Sequence, residues 1–289
     1  MPCFINLPSR WTHENSAWID WFVNGRIAPE LGFDAESLSL SNARHENAAA
    51  RYRDAGLVCS VHLPFMGIDP GDPDPGNAAT ARDMLRRGAE LARIYGAKHM
   101  VGHPYYRLGE RAGTVDEGWV ERSISVWSEL SHIAEVPLYL ENTYETSPHA
   151  IAVLIDALQP LAKNGSNIGV CFDLGHWHAF AGKRSAEELD PWLDAFCPFA
   201  LHLHLHDNHG DYDHHMGLGL GSVPFPALFA KLAERGKKVT ATLEPHDVEA
   251  FCASIAYLAV HADIAASVAW ERPQMDQLPL EEIQKNIVT

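Results

Sequence analysis

The sequence predicts an α/β protein built as a single (β/α)8 TIM barrel. Short apolar runs alternate with helical patterns eight times along the chain. Several of the runs are apolar on both faces, as parallel strands covered by helices must be. No GxGxxG follows the first run, which disfavours a doubly wound dinucleotide fold.

The expected strands are Cys3–Leu7, Phe33–Leu38, Val58–Leu63, Ala97–Gly102, Pro137–Glu141, Ile168–Asp173, Ala200–Leu205 and Val239–Glu244. Between them lie helices. In Ala78–Tyr95, Met84, Leu85, Leu91 and Ile94 recur at helical spacing, and Gly96 follows as a C-cap. In Asp116–Ala134, Trp119, Ile124, Trp127, Leu130 and Ile133 share one side. Pro148–Leu161, Ala186–Phe196, Pro226–Arg235 and Glu249–His261 follow the same logic. Gly67–Gly76 is a rigid Pro/Gly/Asp loop, too short for a domain linker. Residues 1–268 are expected to form the barrel. From Ala269, Pro273 and Pro279 interrupt a polar tail, 269–289, read as an appended surface segment.

Composition narrows the function. With 46% hydrophobic residues the chain can bury a sizeable core, and a net charge of −16 argues against a generic nucleic-acid coat or a binder of anionic membranes. Cys3, Cys59, Cys171, Cys197 and Cys252 are odd in number and form no CxxC, so reduced core thiols are expected. Cys171, two residues before Asp173, points into the barrel as a packed thiol. No secretory signal opens the chain, and no run approaches the roughly 18 apolar residues of a membrane span, so the expected compartment is the cytoplasm.

The 17 histidines are the anomaly. Barrel sites form at the C-terminal ends of the strands. There the chain places His62, His103, Glu141, Asp173 with His176, His204, the loop pair Asp213 and His215, and Glu244. A lone histidine at a strand end is an ordinary hydrogen-bonded rim residue. Six consecutive strands delivering His, Asp or Glu to one rim need compensation, because uncompensated buried charge costs several kcal/mol per group. Divalent cations supply it, and imidazole with carboxylate suits Zn first, with Mn, Fe or Co as alternatives.

This order and spacing resembles the endonuclease IV group, the family 2 apurinic-site endonucleases, within the wider superfamily of xylose isomerase-like TIM barrels. The resemblance runs from about residue 58 to 246. Its strongest blocks are GVCFDLGHWHAFAG at 169–182, LENT at 140–143 and DHHMGLGLG at 213–221. It implies three metal positions: His62 and His103 with bridging Glu141; Glu141, Asp173, His204 and Glu244; and His176, Asp213 and His215. The superfamily's sugar isomerases and epimerases need only the second set, with two of its carboxylates shuttling a proton. In an epimerase an arginine usually follows the seventh-strand histidine by six residues, and here that position is Gly210.

Two or three cations and a small or sugar-like substrate are therefore expected, with hydrolysis of a phosphoester as the leading reaction. Glu141 is the expected bridging carboxylate, and Glu244 a ligand that also accepts a proton. A sugar isomerase or epimerase and an apurinic-site endonuclease are the alternatives. Duplex DNA is a poor fit: the loop between His204 and Asp213 carries no Lys or Arg, and the loops after the first and fourth runs offer Arg10 and Arg107. Trp11, Tyr105, Arg107 and Trp177 are candidate substrate contacts. His206, Asp207, His209, His214 and His246 are expected to support metal-bound imidazoles or face solvent. Gly217, Gly219 and Gly221 are expected to give loop flexibility near the metals.

Overall fold

The computed structural model describes residues 1–106, 115–162, 167–182 and 185–288. Eight parallel strands close on themselves in sequence order: β1 Phe4–Pro8, β2 Ala28–Gly32, β3 Ser60–His62, β4 Met100–Gly102, β5 Leu138–Glu141, β6 Ile168–Asp173, β7 Leu201–Leu205 and β8 Thr240–Leu243. Helices wrap the outside: α1 Ser9–Glu14, α2 Ala17–Gly25, α3 Ala35–Ser39, α4 Asn42–Asp54, α5 Pro75–Tyr95, α6 Glu117–Ala134, α7 His149–Leu158, α8 Leu174–Phe180, α9 Asp190–Phe196, α10 Phe225–Glu234, α11 Val248–Val260, α12 Ala262–Ser267 and α13 Leu280–Val288. This is the (β/α)8 barrel the sequence predicts. None of these helices is long and apolar enough to cross a membrane.

The second strand is not where the sequence places it. Phe33–Leu38 is a turn and a helix, because Asp34 and Ser37 form a capping box: the Asp34 carboxylate accepts from the Ser37 amide at 2.8 Å, and Ser37 Oγ accepts from the Asp34 amide at 3.0 Å. The strand is the preceding Ala-Pro-Glu-Leu-Gly, whose Pro29 lies just ahead of the Glu30–Gly32 segment that pairs with β3. The shift matters because it brings Glu30 into the barrel interior.

That interior is unusually polar. Branched aliphatic residues normally fill it. Here Val101, Tyr139 and Cys171 form a small apolar cluster, while Glu30, Ser60, His99, His202 and Thr242 are buried beside it. The five cysteines are unpaired and Cys171 is fully buried, as expected. Burial pushes its thiol well up despite nearby His204, which fits a packed interior thiol.

The barrel closes between β1 and β8 through two residue pairs, Phe4 with Thr242 and Ile5 with Leu243. The segment after Ala269 lies across this side. Its Leu278 is buried against Gly25, the Gln274 amide donates to Gly25 O, and the Val248 amide donates to Gln284 Oε1. Leu280, Ile283 and Ile287 turn inward, and with Trp11, Trp18 and Phe251 they line an apolar cavity of about 390 Å³.

Candidate metal centre

The nine residues converge at one end of the barrel. Glu141, the last residue of β5, is the hub. Its Oε2 lies 3.1 Å from His62 Nε2, 3.2 Å from His103 Nε2 and 3.3 Å from His204 Nδ1, and its Oε1 lies 3.2 Å from His176 Nδ1. His204 Nδ1 is also 3.2 Å from Glu244 and 3.9 Å from Asp173. Asp213 Oδ2 lies 3.3 Å from His176 Nε2 and 3.2 Å from His215 Nε2.

Backbone carbonyls aim three of these rings. Nδ1–H of His62 donates to Leu63 O at 2.8 Å, that of His176 to Asn142 O at 3.0 Å and that of His215 to Glu244 O at 3.1 Å. In the neutral ring each bond leaves Nε2 as the lone-pair nitrogen facing a carboxylate, the arrangement that orients metal-binding imidazoles. Asn142 braces the floor: its side-chain amide donates to Asp173 O, and its Oδ1 accepts from the Asp173 amide.

The donor set fits divalent cations. Four carboxylates and these lone pairs form a group rich in acceptors. Asp173 Oδ2 and Asp213 Oδ1 are buried without a hydrogen bond, and so are both nitrogens of His204. Burial alone pushes the Glu141 carboxyl up, but His204 and His103 hold it well below the ordinary range. For Glu244 burial wins over His204 and His215, and its pKa is raised.

Burial would depress the imidazoles of His176 and His204. The carboxylates around His176 and the Cys171, Glu244, Glu141 and Glu30 groups around His204 instead raise both well above the usual value. Both directions favour the protonated rings in metal-free protein, so that a bound cation would displace protons. Titrating zinc into metal-free protein in two buffers of different ionisation heat should show net proton release at pH 7, with affinity falling as pH is lowered. Uptake without proton release would contradict this assignment.

The loop carrying Asp213 and His215 is pinned, not free. Asp207 pairs through its backbone with Met216, and its carboxylate accepts from the amides of Asn208, Val223 and Gly219. His215 sits at φ +48, a left-handed conformation that histidine tolerates better than most residues. The glycines here serve packing rather than flexibility. A methyl group at Gly221 would overlap Asn208 O and the Asp207 carboxylate, one at Gly217 would meet Ala250 and Ala253, and Gly219 has φ +83.

The substrate contacts expected from sequence fare unevenly. Trp177 is fully buried against Phe172, which itself stacks on Trp192, so it offers no face to a substrate. Trp11 stacks on Trp18 beside the apolar cavity. Tyr105 is half-buried at φ +55, just past His103, and Arg107 lies outside the described residues. The aromatic surface at the metal centre is made by others. Phe65 packs 4.8 Å from the His103 ring, and Phe180 lies 5.7 Å from His176 and 4.7 Å from exposed Tyr144. His209 and His214 are exposed, as expected, and His246 stacks on His215 at 3.7 Å.

Glu30 is the residue the sequence reading misses. Its Oε1 lies 2.9 Å from His204 Nε2, behind the nitrogen that faces the other carboxylates. Its Oε2 accepts from Ser60 Oγ at 2.9 Å and Thr242 Oγ1 at 2.8 Å, and lies 3.2 Å from His99 Nε2. Burial raises its pKa, yet His204 and the hydrogen-bonding histidines hold it well below the ordinary value. Its stabilising charge is thus present above the ordinary carboxylate pKa and lost as pH falls through the lowered one. Glu30→Ala should cost about 3–5 kcal/mol in denaturant unfolding, because it strands buried partners. A loss below about 1 kcal/mol, within the range of an exposed ion pair, would show that the network is dispensable.

Comparison with known proteins agrees with this architecture. No curated protein sequence matches the chain. Among solved structures, a D-tagatose 3-epimerase-like protein superposes with a TM-score of 0.70 at 20% identity, covering 93% of this chain and 98% of that one. The TTHB071 protein from Thermus thermophilus, soaked with zinc chloride, gives 0.69 at 25% identity, covering 91% and 98%. Endonuclease IV from Thermus thermophilus gives 0.59 at 19% identity, covering 84% and 92%. A sequence model described as "Xylose isomerase-like TIM barrel" matches residues 26–273, from β2 through the last strand and beyond. With its closed barrel and its ligand-rich rim, the chain belongs to the xylose isomerase-like TIM barrel family.

Proposed function

We propose that the protein is a metal-dependent hydrolase that cleaves a phosphoester of a small or sugar-like substrate at a centre of two or three divalent cations, zinc foremost. One observation carries this reading: four imidazoles, His62, His103, His176 and His204, surround the Glu141 carboxylate at 3.1–3.3 Å. A carboxylate so enclosed serves as a bridging ligand and has no free lobe to shuttle a substrate proton, which an epimerase would demand of it.

Divalent cations at these positions supply Lewis acidity and lower the pKa of coordinated water toward neutrality. The chain supplies the rest. Glu141 fixes the spacing of the ligand sets. Glu244, 3.2 Å from His204 Nδ1 at the edge of this set, would accept a proton during the reaction. Phe65 and Phe180 present an apolar ledge suited to a sugar face.

A ketose epimerase is the second reading, supported by the complete Glu141, Asp173, His204 and Glu244 set around one nitrogen of His204. The test is to load the protein with zinc or manganese and assay it on bis(p-nitrophenyl) phosphate, sugar phosphates and ketohexoses. Phosphoester cleavage with two or three ions per chain is expected. Epimerisation with one ion per chain and no cleavage would establish the second reading.

Duplex cleavage is not expected. Arg10, beside β1, is engaged by Glu14, Asp34 and Glu36 at 3.4–3.8 Å, so it is not a free phosphate contact. Binding of an abasic duplex, followed by fluorescence anisotropy, should be weak at physiological salt. Tight, salt-sensitive binding with strand scission would reverse this.

A further inference from the structure

We infer that Asn142 is a positioning residue for two cation positions at once: its side chain fixes the Asp173 backbone and its carbonyl aims the His176 ring, so that two ligand sets are tied through one residue. The inference rests on the metal-binding part of the functional reading and does not depend on the reaction catalysed.

Asn142 stands where the β5–β6 ladder runs out. Glu141 with Cys171 is the last pair of that register. One step further, the Asn142 amide donates to Cys171 O at 3.4 Å. In a regular parallel ladder the next bond would run from the Asp173 amide to Asn142 O. Here the Asp173 amide donates to Asn142 Oδ1 instead, at 2.8 Å. The side-chain oxygen stands in for the main-chain one. The Asn142 side-chain NH2 completes the bracket by donating to Asp173 O at 2.9 Å. Asn142 is 1% exposed, so water does not compete for these bonds. Aspartate here would lack the N–H that Asp173 O accepts.

The exchange frees Asn142 O, and His176 uses it. Nδ1–H of His176 donates to this carbonyl at 3.0 Å, while Nε2 lies 3.3 Å from Asp213 Oδ2. Asp173 Oδ1 meanwhile accepts from the His176 amide at 2.6 Å and caps α8. Asp173 and His176 belong to different ligand sets, yet one asparagine holds both. His62 and His103 lie outside its reach: they face Glu141 Oε2, whereas His176 faces Oε1.

Removing the side chain should therefore leave the fold and undo the aim. In Asn142→Ala the Asp173 amide can return to the main-chain carbonyl of residue 142, so no buried amide is stranded. That bond takes from His176 its acceptor. The released Nδ1–H turns to Glu141 Oε1, already 3.2 Å away, and occupies a lone pair that a cation needs.

The test loads wild type, Asn142→Ala and Asn142→Val, a strand former without either polar group, with cadmium-113 as a zinc surrogate. Circular dichroism checks the fold, nitrogen-15 and cadmium-113 NMR identify the ligand atoms, and graded EDTA reads retention at each position. In wild type, His176 should couple to cadmium through Nε2 and keep its proton on Nδ1. In both variants the ions at Asp173 and at His176 should be released at roughly 10–100-fold lower chelator than in wild type, and the ion at His62 and His103 at the wild-type concentration. A bare or cadmium-coupled Nδ1 on His176 of wild type would overturn the inference without any variant. So would wild-type retention in either folded variant, or loss confined to one of the two positions. If wild type takes cadmium only at His62 and His103, this inference alone fails. If it takes none, the functional reading fails with it.

Discussion

Glu141→Gln is expected to leave a folded barrel that retains at most one divalent ion and turns over phosphoesters at least ~1000-fold more slowly, about 4 kcal/mol of barrier. Glutamine keeps the volume and removes the charge. The four imidazoles now within 3.1–3.3 Å of the carboxylate would face an amide. An amide cannot bridge two cations, and its NH2 would donate to the imidazole lone pairs that the cations need. Elemental analysis together with kcat on a chromogenic diester checks both halves. Full metal content with unchanged turnover would remove Glu141 from the mechanism and with it the main support for the hydrolase reading.

The second large effect belongs to the loop pair. Asp213→Ala or His215→Ala should lower the metal count by about one and cut the rate at least ~100-fold, about 2.7 kcal/mol. Asp213 is held well below its usual pKa against the pull of burial, because His176 and His215 bond to it. Removing it frees His176, which touches Glu141 Oε1 through its other nitrogen, so the damage reaches the hub. The missing positive charge also leaves the developing negative charge of the reaction less stabilised. The effect should fall on kcat more than on KM. The fold should survive, because Asp207 holds the loop through backbone amides and not through Asp213. A double variant with full metal content and normal turnover would show this position to be ornamental.

The barrel and its rim were legible because two periodicities coincide. Parallel strands alternate with helices, and within strands every second residue points inward, so His62, Glu141, Asp173 and His204 declare themselves at strand ends. Glu30 was not legible. Its strand, Ala-Pro-Glu-Leu-Gly, has no β-branched residue and contains a proline, while the neighbouring Phe33 and Leu38 mimic a strand that the Asp34–Ser37 cap turns into helix. His206 obeys the same alternation as His204, and a strict count along His-Leu-His-Leu-His would have placed it inside. The glycines after Met216 depend on Ala250, Ala253 and Asn208, contacts that only the tertiary structure creates. Trp177 lies on the rear face of a short helix whose start Asp173 sets by capping the His176 amide, and that phase is fixed by the cap rather than by composition.

The narrow seam between β1 and β8 bears on the order of assembly. Every strand that contributes a candidate cation ligand, from β3 to β8, can find its neighbour by a local crossover, and Glu30 on β2 needs only the preceding step. Joining β1 to β8 links the two ends of the chain, and the Asn15 side-chain amide reaches Asn286 across 271 positions of sequence. Such long-range contacts form late, since loop closure must be met before they return anything. On the proposed metal-binding reading, the arc bearing the candidate ligands can gather its cations while the cylinder is still open, and the C-terminal helix acts as the latch that shuts it. Pulsed hydrogen exchange should accordingly protect the amides of β5–β7 before those of β1.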